Sequence, residues 1–333
     1  MGNVALAIHG GAGTILRSQM TPDLEREYRG GLEAALKAGW SILESGGTSL
    51  DAVEAAVISL EDFPLFNAGR GSVFTHEGKQ EMDAAIMDGH KLDAGAVAFV
   101  KNIRNPISLA RLVMERTEHV LLAGEGANQF AEQLGVKTEP DEYFFTEHRW
   151  LRLQDALATG RIQLDHAVDV PSPKSQASSE SKRYKGLGSL DSGLGTKPHG
   201  TVGAVACDAS GHLAAATSTG GMTNKKYGRI GDTPLIGAGN YADDVCAVSC
   251  TGNGEFFMLG VTAYDVAARM KYKNLSLEDA ARETIDRLTV INGEGGLIAV
   301  DTHGNITMPF NSKGMYRAKI TTNGRSEVGI YGE

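Results

Sequence analysis

The strongest constraint on the fold of this chain is an abrupt change in composition just before Thr201. Residues 167–199 are rich in Ser, Lys, Pro and Gly, and they contain too few apolar side chains to offset the entropy cost of ordering them. The apolar run Val202–Cys207 follows, and residues 208–211 separate it from a second apolar run at 213–218, which is the pattern of a β-hairpin. The sequence therefore predicts a mobile linker that ends where a second unit of structure begins.

Strand and helix patterns occur on both sides of this linker. Residues 4–8 predict a buried strand that ends in a glycine turn at 9–13, and residues 23–43 predict the first helix. Because strands and helices come in runs and do not strictly alternate, we expect a layered α+β sandwich and not a doubly wound parallel sheet. The other predicted strands are 84–87, 94–100, 234–237, 247–251, 296–301 and 306–310, and the other predicted helices are 48–60, 106–115, 126–134, 147–157, 255–270 and 277–288.

The charge balance argues against two classes of partner. Lys and Arg total 32 against 41 Asp and Glu, which gives a net charge of −9. We therefore expect no binding to nucleic acid or to an anionic membrane, since both require a basic surface. No basic leader and no run of about 20 apolar residues occurs, so we expect a soluble, cytoplasmic protein. The three cysteines have no metal-type spacing and predict neither a disulfide framework nor a zinc site.

Sequence signatures of cofactor and metal enzymes are absent from the chain. The motifs GxxxxGK[ST], GxGxxG and HExxH do not occur, and the nine histidines are scattered, so no organic cofactor is expected. The segment ATSTG at 216–220 is a relaxed form of the esterase motif GxSxG and makes Ser218 an alternative nucleophile. That motif needs a helix directly after the serine, whereas residues 220–234 include glycines and a proline that disfavour one.

Thr201 lies where the linker meets the predicted strand, and this position suggests chemistry. Cleavage between Gly200 and Thr201 would create an N-terminal threonine, whose own α-amine can take the proton of its hydroxyl. Glycine at position 200 suits the unusual backbone conformation that an N-to-O acyl shift requires. From these residues alone, a plain strand that starts at a β-branched residue remains the alternative.

Six motifs extend the argument to nearly the whole chain outside the linker. They are HGGAGT at 9–14, FNAGRGS at 66–72, HGTVGAVACD at 199–208, ATSTGG at 216–221, GRIGDTPLIGAG at 228–239 and SCTGNGE at 249–255. In kind and order they resemble the plant-type L-asparaginase and isoaspartyl aminopeptidase family of N-terminal-nucleophile hydrolases. The resemblance implies a four-layer αββα sandwich, autoproteolysis into an alpha subunit (1–200) and a beta subunit (201–333), and a heterotetramer that is a dimer of such heterodimers.

The related glycosylasparaginases typically carry Asp before the catalytic threonine and Asn after the second threonine, as in HDT and TSTNG. In this chain Gly200 and Gly220 occupy those positions, which favours the asparaginase branch. A glycosylasparaginase-like amidohydrolase remains an alternative. A further alternative is a binding protein for amino acids that has lost its chemistry, although every catalytic hydroxyl is retained.

The resemblance also implies the substrates and the role of each site residue. The substrates are L-asparagine and N-terminal β-aspartyl dipeptides, with Thr201 as the nucleophile. The implied site residues are Thr219, which holds the nucleophile; Arg229 and Asp232, which bind the substrate's α-carboxylate and α-amine; Thr251 and Gly252, which form the oxyanion hole; Gly254, which provides space; and Asn67, beside the substrate.

The segment 60–70 resembles the sodium-binding loop of the family. There, backbone carbonyl oxygens coordinate the ion, so no side-chain signature marks the site. The corresponding residues are Leu60, Glu61, Phe63, Phe66, Ala68 and Arg70. The resemblance thus implies structural Na⁺, and activation by K⁺ is a related expectation.

Overall fold

The computed structural model describes residues 3–159, 200–322, 324 and 326–332, so the predicted linker at 167–199 lies outside the described residues. The strands of the described part are β1 Ala5–Gly13, β2 Met82–Asp88, β3 Asp93–Val100, β4 Leu121–Ala123, β5 Val202–Cys207, β6 Leu213–Thr219, β7 Asn240–Ala242, β8 Cys246–Gly252, β9 Gly295–Asp301, β10 Ile306–Thr307, β11 Gly314–Thr321 and β12 Glu327–Tyr331. Its α-helices are α1 Pro22–Glu44, α2 Ser49–Glu61, α3 Pro106–Arg116, α4 Gly124–Gln133, α5 Asp141–Phe144, α6 Glu147–Thr159, α7 Gly254–Gly260, α8 Thr262–Lys273 and α9 Leu277–Val290.

The strands form two sheets. The larger sheet has the order β12-β11-β1-β5-β6-β2-β3-β4, and its neighbouring strands are antiparallel except for the parallel pair β3 and β4. The smaller sheet has the order β10-β9-β8-β7 and is antiparallel. The site discussed below lies where β1, β5 and β6 of the larger sheet meet the end of β8 in the smaller one.

Alternation along the strands divides the apolar residues among three clusters, because successive side chains point to opposite faces. On β1, Leu6 and Ile8 join the cluster that packs against α1, α2 and α3, whereas Ala5 and Ala7 join the cluster between the two sheets. A third cluster lies between the smaller sheet and the helices α8 and α9. The structure thus confirms the predicted mixed α+β class. No helix within the described ranges is long and apolar enough to span a membrane.

Three predicted boundaries are wrong for identifiable reasons. The glycines after residue 8 do not form a turn: β1 continues to Gly13 and accommodates them with an irregularity between His9 and Gly11. The helix predicted at 255–270 is broken at Val261, whose φ of 48° is left-handed. The strand predicted at 234–237 is replaced by β7 at Asn240–Ala242.

Candidate active site

Thr201 and the carbonyl group before it lie in a buried position beside two polar side chains, those of Asn67 and Thr219. The Gly200 carbonyl oxygen accepts hydrogen bonds from Asn67 Nδ2 at 2.8 Å and from Thr219 Oγ1 at 3.0 Å. The Thr201 hydroxyl lies 3.3 Å from Thr219 Oγ1, and the Thr201 residue is only 7% exposed. Two donors therefore polarise the carbonyl group immediately adjacent to the Thr201 hydroxyl.

Asn67 is held rigidly by its surroundings. Its Oδ1 accepts from the Val73 N–H at 3.0 Å, and its backbone carbonyl accepts from the Gly220 N–H at 3.1 Å. A Cβ atom at Gly220 would lie 2.6 Å from Asn67 Oδ1, so an Asn at that position, as in TSTNG, would not fit. Sequence reasoning placed Asn67 beside a substrate, and in the structure its amide contacts Gly200.

Arg229 and Asp232 border the start of α7. A Cβ atom at Gly254 would lie 2.7 Å from Arg229 Nη2 and 2.9 Å from Asp232 Oδ1, which explains the need for glycine there. Asp232 is 4% exposed, and its Oδ2 has no hydrogen-bond partner within the described part of the chain. Burial raises the pKa of Asp232 to about 7, although the nearby charge of Arg229 opposes this rise. A buried acceptor next to a guanidinium suits a small ligand that carries both an amine and a carboxylate.

Glu255 is a site residue whose role sequence reasoning missed. Its carboxylate accepts from Arg229 Nε at 2.8 Å and from Arg229 Nη2 at 2.9 Å, and so occupies one edge of the guanidinium. The edge formed by Nη1 and Nη2 is not used by this pair. The signal was available, because Glu255 closes the motif SCTGNGE, but nothing in the sequence indicated that it pairs with Arg229.

The predicted oxyanion pair lies at the end of β8. The Thr251 hydroxyl oxygen accepts from the Ala12 N–H at 3.3 Å, so the hydroxyl proton can still be donated to a ligand. A Cβ atom at Gly252 would lie 2.2 Å from Phe257 Cε2, so this position also requires glycine. The glycine-rich end of β1 thus supports Thr251.

The loop 60–71 brings backbone carbonyl groups together. A Cβ atom at Gly71 would lie 2.0 Å from the Phe66 oxygen and 2.6 Å from the Pro64 oxygen, and one at Gly69 would lie 2.6 Å from the Glu61 oxygen. Hard oxygen donors of this kind fit a cation such as Na⁺. No group of three or more His, Cys, Asp or Glu side chains in the described ranges is arranged to hold a metal ion.

A buried arginine braces this loop from α6. Arg149 donates to the Gly71 carbonyl through Nε at 2.9 Å and to the Leu65 carbonyl through Nη2 at 3.0 Å. Arg149 is fully buried, and this burial lowers its pKa to about 10. The loop conformation is therefore fixed by side chains outside the loop as well as by its glycines.

Ser218 has surroundings that do not suit a nucleophile. It is fully buried and donates to Glu61 Oε1 at 2.6 Å, on the opposite face of β6 from Thr217 and Thr219. No helix begins directly after it, since residues 220–239 are turns, bends and irregular backbone. The geometry required by the esterase alternative is not present.

Comparisons with known proteins agree with these motifs. The family model described as asparaginase matches residues 2–330. The chain is 48% identical over 335 residues to the isoaspartyl peptidase of Salmonella typhimurium, and the match covers 100% of both chains. It is 41% identical over 328 residues to the isoaspartyl peptidase/L-asparaginase of Xenopus laevis, covering 98% of this chain and 94% of the relative. It is 44% identical over 323 residues to the plant-type L-asparaginase of Pyrococcus furiosus, covering 94% of each.

Proposed function

This chain belongs to the asparaginase family, and we propose that it hydrolyses L-asparagine and N-terminal β-aspartyl dipeptides with Thr201 as the nucleophile. The observation that carries the proposal is the Gly200 carbonyl, which accepts from both Asn67 and Thr219 directly beside the Thr201 hydroxyl. This arrangement supports self-cleavage at the Gly200–Thr201 bond, which frees the α-amine that catalysis needs.

Cleavage would begin with attack of Thr201 Oγ1 on the Gly200 carbonyl carbon. Thr219 Oγ1 and Asn67 Nδ2 would stabilise the negative charge that develops on the carbonyl oxygen. Collapse of the tetrahedral intermediate breaks the C–N bond. The leaving nitrogen takes up the proton that the Thr201 hydroxyl has lost and becomes the free amine, while Gly200 forms an ester with Oγ1. Water then hydrolyses the ester, giving a carboxylate on Gly200 and restoring the hydroxyl.

Substrate hydrolysis would use the same hydroxyl with the new amine as its base. The amine takes the hydroxyl proton, and Oγ1 attacks the β-carbonyl carbon of the substrate. The Thr251 hydroxyl and the Gly252 N–H would donate to the oxyanion, and ammonia or the amine of the leaving amino acid departs with a proton. Water hydrolyses the resulting β-aspartyl ester and releases aspartate.

Substrate selection would depend on the two charged residues beside Gly254. The free edge of Arg229 would bind the α-carboxylate in a bidentate manner, and Asp232 would accept from the α-ammonium group. Asparagine and β-aspartyl peptides carry both groups next to the β-carbonyl carbon, whereas α-linked aspartyl peptides do not. One clamp can therefore serve either substrate, whatever group leaves.

The proposal extends to the assembly and to the loop 60–71. The three hydrophobic clusters support a four-layer αββα sandwich, with α1, α2 and α3 on one outer side and α8 and α9 on the other. We propose that the chain matures into subunits 1–200 and 201–333, which pair as a dimer of heterodimers. Sodium would bind through the carbonyl oxygens of the loop, where it would fix the backbone that carries Asn67.

Electrophoresis under denaturing conditions, combined with product assays, tests the proposal. Purified wild-type protein is expected to show two fragments of 200 and 133 residues (333 − 200) and to release aspartate from both substrate classes. Thr201→Ala should remain one chain and should be inactive, whereas Ser218→Ala should still cleave. A Thr201→Ala protein that splits at the same bond, or a cleaved wild type that releases no aspartate, would overturn the proposal.

A further inference from the structure

Four fully buried polar side chains form a continuous line between the two sheets, in a layer otherwise rich in alanine. We call this line the polar seam; its members are Asn240, Thr217, Ser249 and His9. It ends at the Thr201 carbonyl group, which lies 3.0 Å from His9 Nδ1. The other contacts are His9 Nε2 to Ser249 Oγ at 2.9 Å, Ser249 Oγ to Thr217 Oγ1 at 2.7 Å, and Asn240 Nδ2 to Thr217 Oγ1 at 3.0 Å.

The direction of the hydrogen bonds in the seam follows from the acceptor at its end. The Thr201 oxygen can only accept, so His9 Nδ1 must carry a proton. Burial lowers the pKa of His9 to about 3, so the ring is neutral near pH 7 and its Nε2 must be an acceptor. Ser249 therefore donates its only hydroxyl proton to His9.

The donor and acceptor of each remaining hydrogen bond in the seam then follow from the number of protons that each side chain carries. Because Ser249 has used its proton, its oxygen accepts from Thr217 at 2.7 Å, which is shorter than the 3.3 Å from Thr217 Oγ1 to the Gly239 oxygen. Asn240 Nδ2 donates to both Thr217 Oγ1 and the Ala85 oxygen. Every bond thus points from Asn240 towards the carbonyl group of Thr201.

Gly203 provides the space through which the seam crosses between the sheets. It pairs with His9 in the register of β1 and β5. A Cβ atom on it would lie 2.0 Å from Ser249 Oγ and 2.5 Å from His9 Nε2, and would therefore overlap both of the bonded atoms. Because Gly203 has no side chain, Ser249 of the smaller sheet can reach and hydrogen-bond His9 of the larger sheet.

We propose that Ser249, Thr217 and Asn240 are positioning residues that lock His9 as the Nδ1–H tautomer and thereby fix the backbone of Thr201. This inference rests on the proposed function. Cleavage removes the peptide bond on the amino side of Thr201, so the residue depends on its carbonyl side for orientation. The seam holds that carbonyl group through His9, on the side of Thr201 that cleavage leaves intact, and so keeps the new amine and the hydroxyl aligned.

Nitrogen NMR of protein labelled at its histidine rings tests the tautomer without any assay of activity. Wild-type His9 is expected to show a protonated Nδ1 and an unprotonated Nε2, unchanged between pH 5 and pH 8. In Ser249→Ala the Nε2 signal should shift to that of an unprotonated nitrogen without a hydrogen bond, because it has lost its donor, whereas Nδ1 should stay protonated against the Thr201 oxygen. Substitutions at the other histidines assign the His9 signals without altering the seam. A protonated Nε2, or a titration in this range, in the wild type would overturn the inference.

Kinetics of the same variant test the positioning role. For the cleaved fraction of Ser249→Ala, we expect kcat to fall about 10- to 100-fold, as misalignment of a nucleophile by about 1 Å does, with KM for L-asparagine changed little. The control is Thr284→Val, which removes a buried hydroxyl from α9, on the other side of the smaller sheet, where it donates to Ala280 and Asp265; it should keep the wild-type kcat.

The outcomes separate the two proposals. Wild-type protein that hydrolyses neither substrate contradicts the proposed function, even if the His9 tautomer is as expected. Active wild type together with an unchanged kcat in Ser249→Ala contradicts the positioning role alone. If Ser249→Ala does not fold, Thr217→Val interrupts the seam one bond further from His9, and it should lower kcat in the same way.

Discussion

Asp232 shows at the scale of a single residue how a buried carboxylate can lower the stability of the folded state. Its carboxylate is buried, one of its oxygens lacks a partner in the described part of the molecule, and its pKa is raised from the usual value near 3.8 to about 7. The folded state therefore binds a proton more tightly than the unfolded state does. The free energy of unfolding therefore falls as the pH rises from about 3.8 to about 7, because the folded state must then bury a charged carboxylate.

Asp232→Asn should consequently stabilise the protein while it impairs substrate binding. At pH 8 the variant avoids the buried charge, so its Tm should exceed that of the wild type by a few degrees, on the order of 2–4 °C per kcal/mol for a large domain. The gain should shrink as the pH falls below 7 and disappear near pH 4. Thermal unfolding measured from pH 4 to pH 8 checks this, and a gain that does not depend on pH would contradict it.

Arg229 allows a complementary prediction about catalysis. Arg229→Ala should lower kcat/KM for L-asparagine by about 30- to 1000-fold, which corresponds to about 2–4 kcal/mol for the loss of a charge-assisted bidentate contact. Self-cleavage should persist, because none of the hydrogen bonds of Gly200 involves Arg229. Arg229→Lys should recover only part of the loss, since an ammonium group lacks the planar fork. Near wild-type kcat/KM in Arg229→Ala would show that the clamp is misassigned.

At the scale of secondary-structure elements, periodic segments were predictable and segments fixed by tertiary contacts were not. The helix predicted at 23–43 became α1, and the hairpin became β5 and β6 with nearly the same bounds. The glycines after His9 suggested a turn because the sequence does not show that β11 pairs with them on one side. β11 and β12 were missed altogether, although Tyr316, Ala318 and Ile320 alternate with polar residues along β11, so this signal was present in the sequence and was overlooked.

The residues of the candidate site fall into the same two groups: those marked by local sequence and those brought together only by tertiary contacts. Motifs indicated Thr201, Arg229 and Asp232, because each lies in a short segment of distinctive sequence. The polar seam could not be found, since its members lie on four strands of two sheets and single Ser, Thr, Asn and His residues are common in any core strand. Gly203 was the only local trace of it, and a glycine in a strand has many possible causes.

The loop 60–71 is the element for which ion dependence can be tested. If sodium binds its carbonyl oxygens, the wild-type Tm should be higher in NaCl than in choline chloride at equal ionic strength, by the equivalent of ~2.7 kcal/mol at about 100 times Kd. Gly71→Ala would place a Cβ atom 2.0 Å from the Phe66 oxygen and should abolish the difference. Gly30→Ala, which meets open space on α1, is the control and should retain it. Equal Tm values for the wild type in both salts would exclude the site.

At the scale of the whole molecule, the strand order determines what cleavage at Thr201 can do. Strands β1 to β4 precede the predicted scissile bond, and strands β5 to β12 follow it. In the larger sheet, β1 lies between β11 and β5, and β2 lies between β6 and β3. The two parts of the chain therefore alternate within one sheet, and the hydrophobic cluster beneath α1 and α2 draws residues from both. Within the described residues, no surface divides the fold into one body for each fragment.

The fragments should consequently remain associated after cleavage and unfold together. Separating them would break the β1–β5, β1–β11 and β2–β6 ladders and expose apolar residues of both parts to water, which is far more costly than the loss of one peptide bond. On size exclusion in native buffer, both fragments should elute in one peak, at the volume of uncleaved Thr201→Ala, and thermal unfolding should show a single transition. The fragments should separate only in denaturant. Fragments that elute apart in native buffer would mean that the sheet is not shared between the two subunits as its strand order requires.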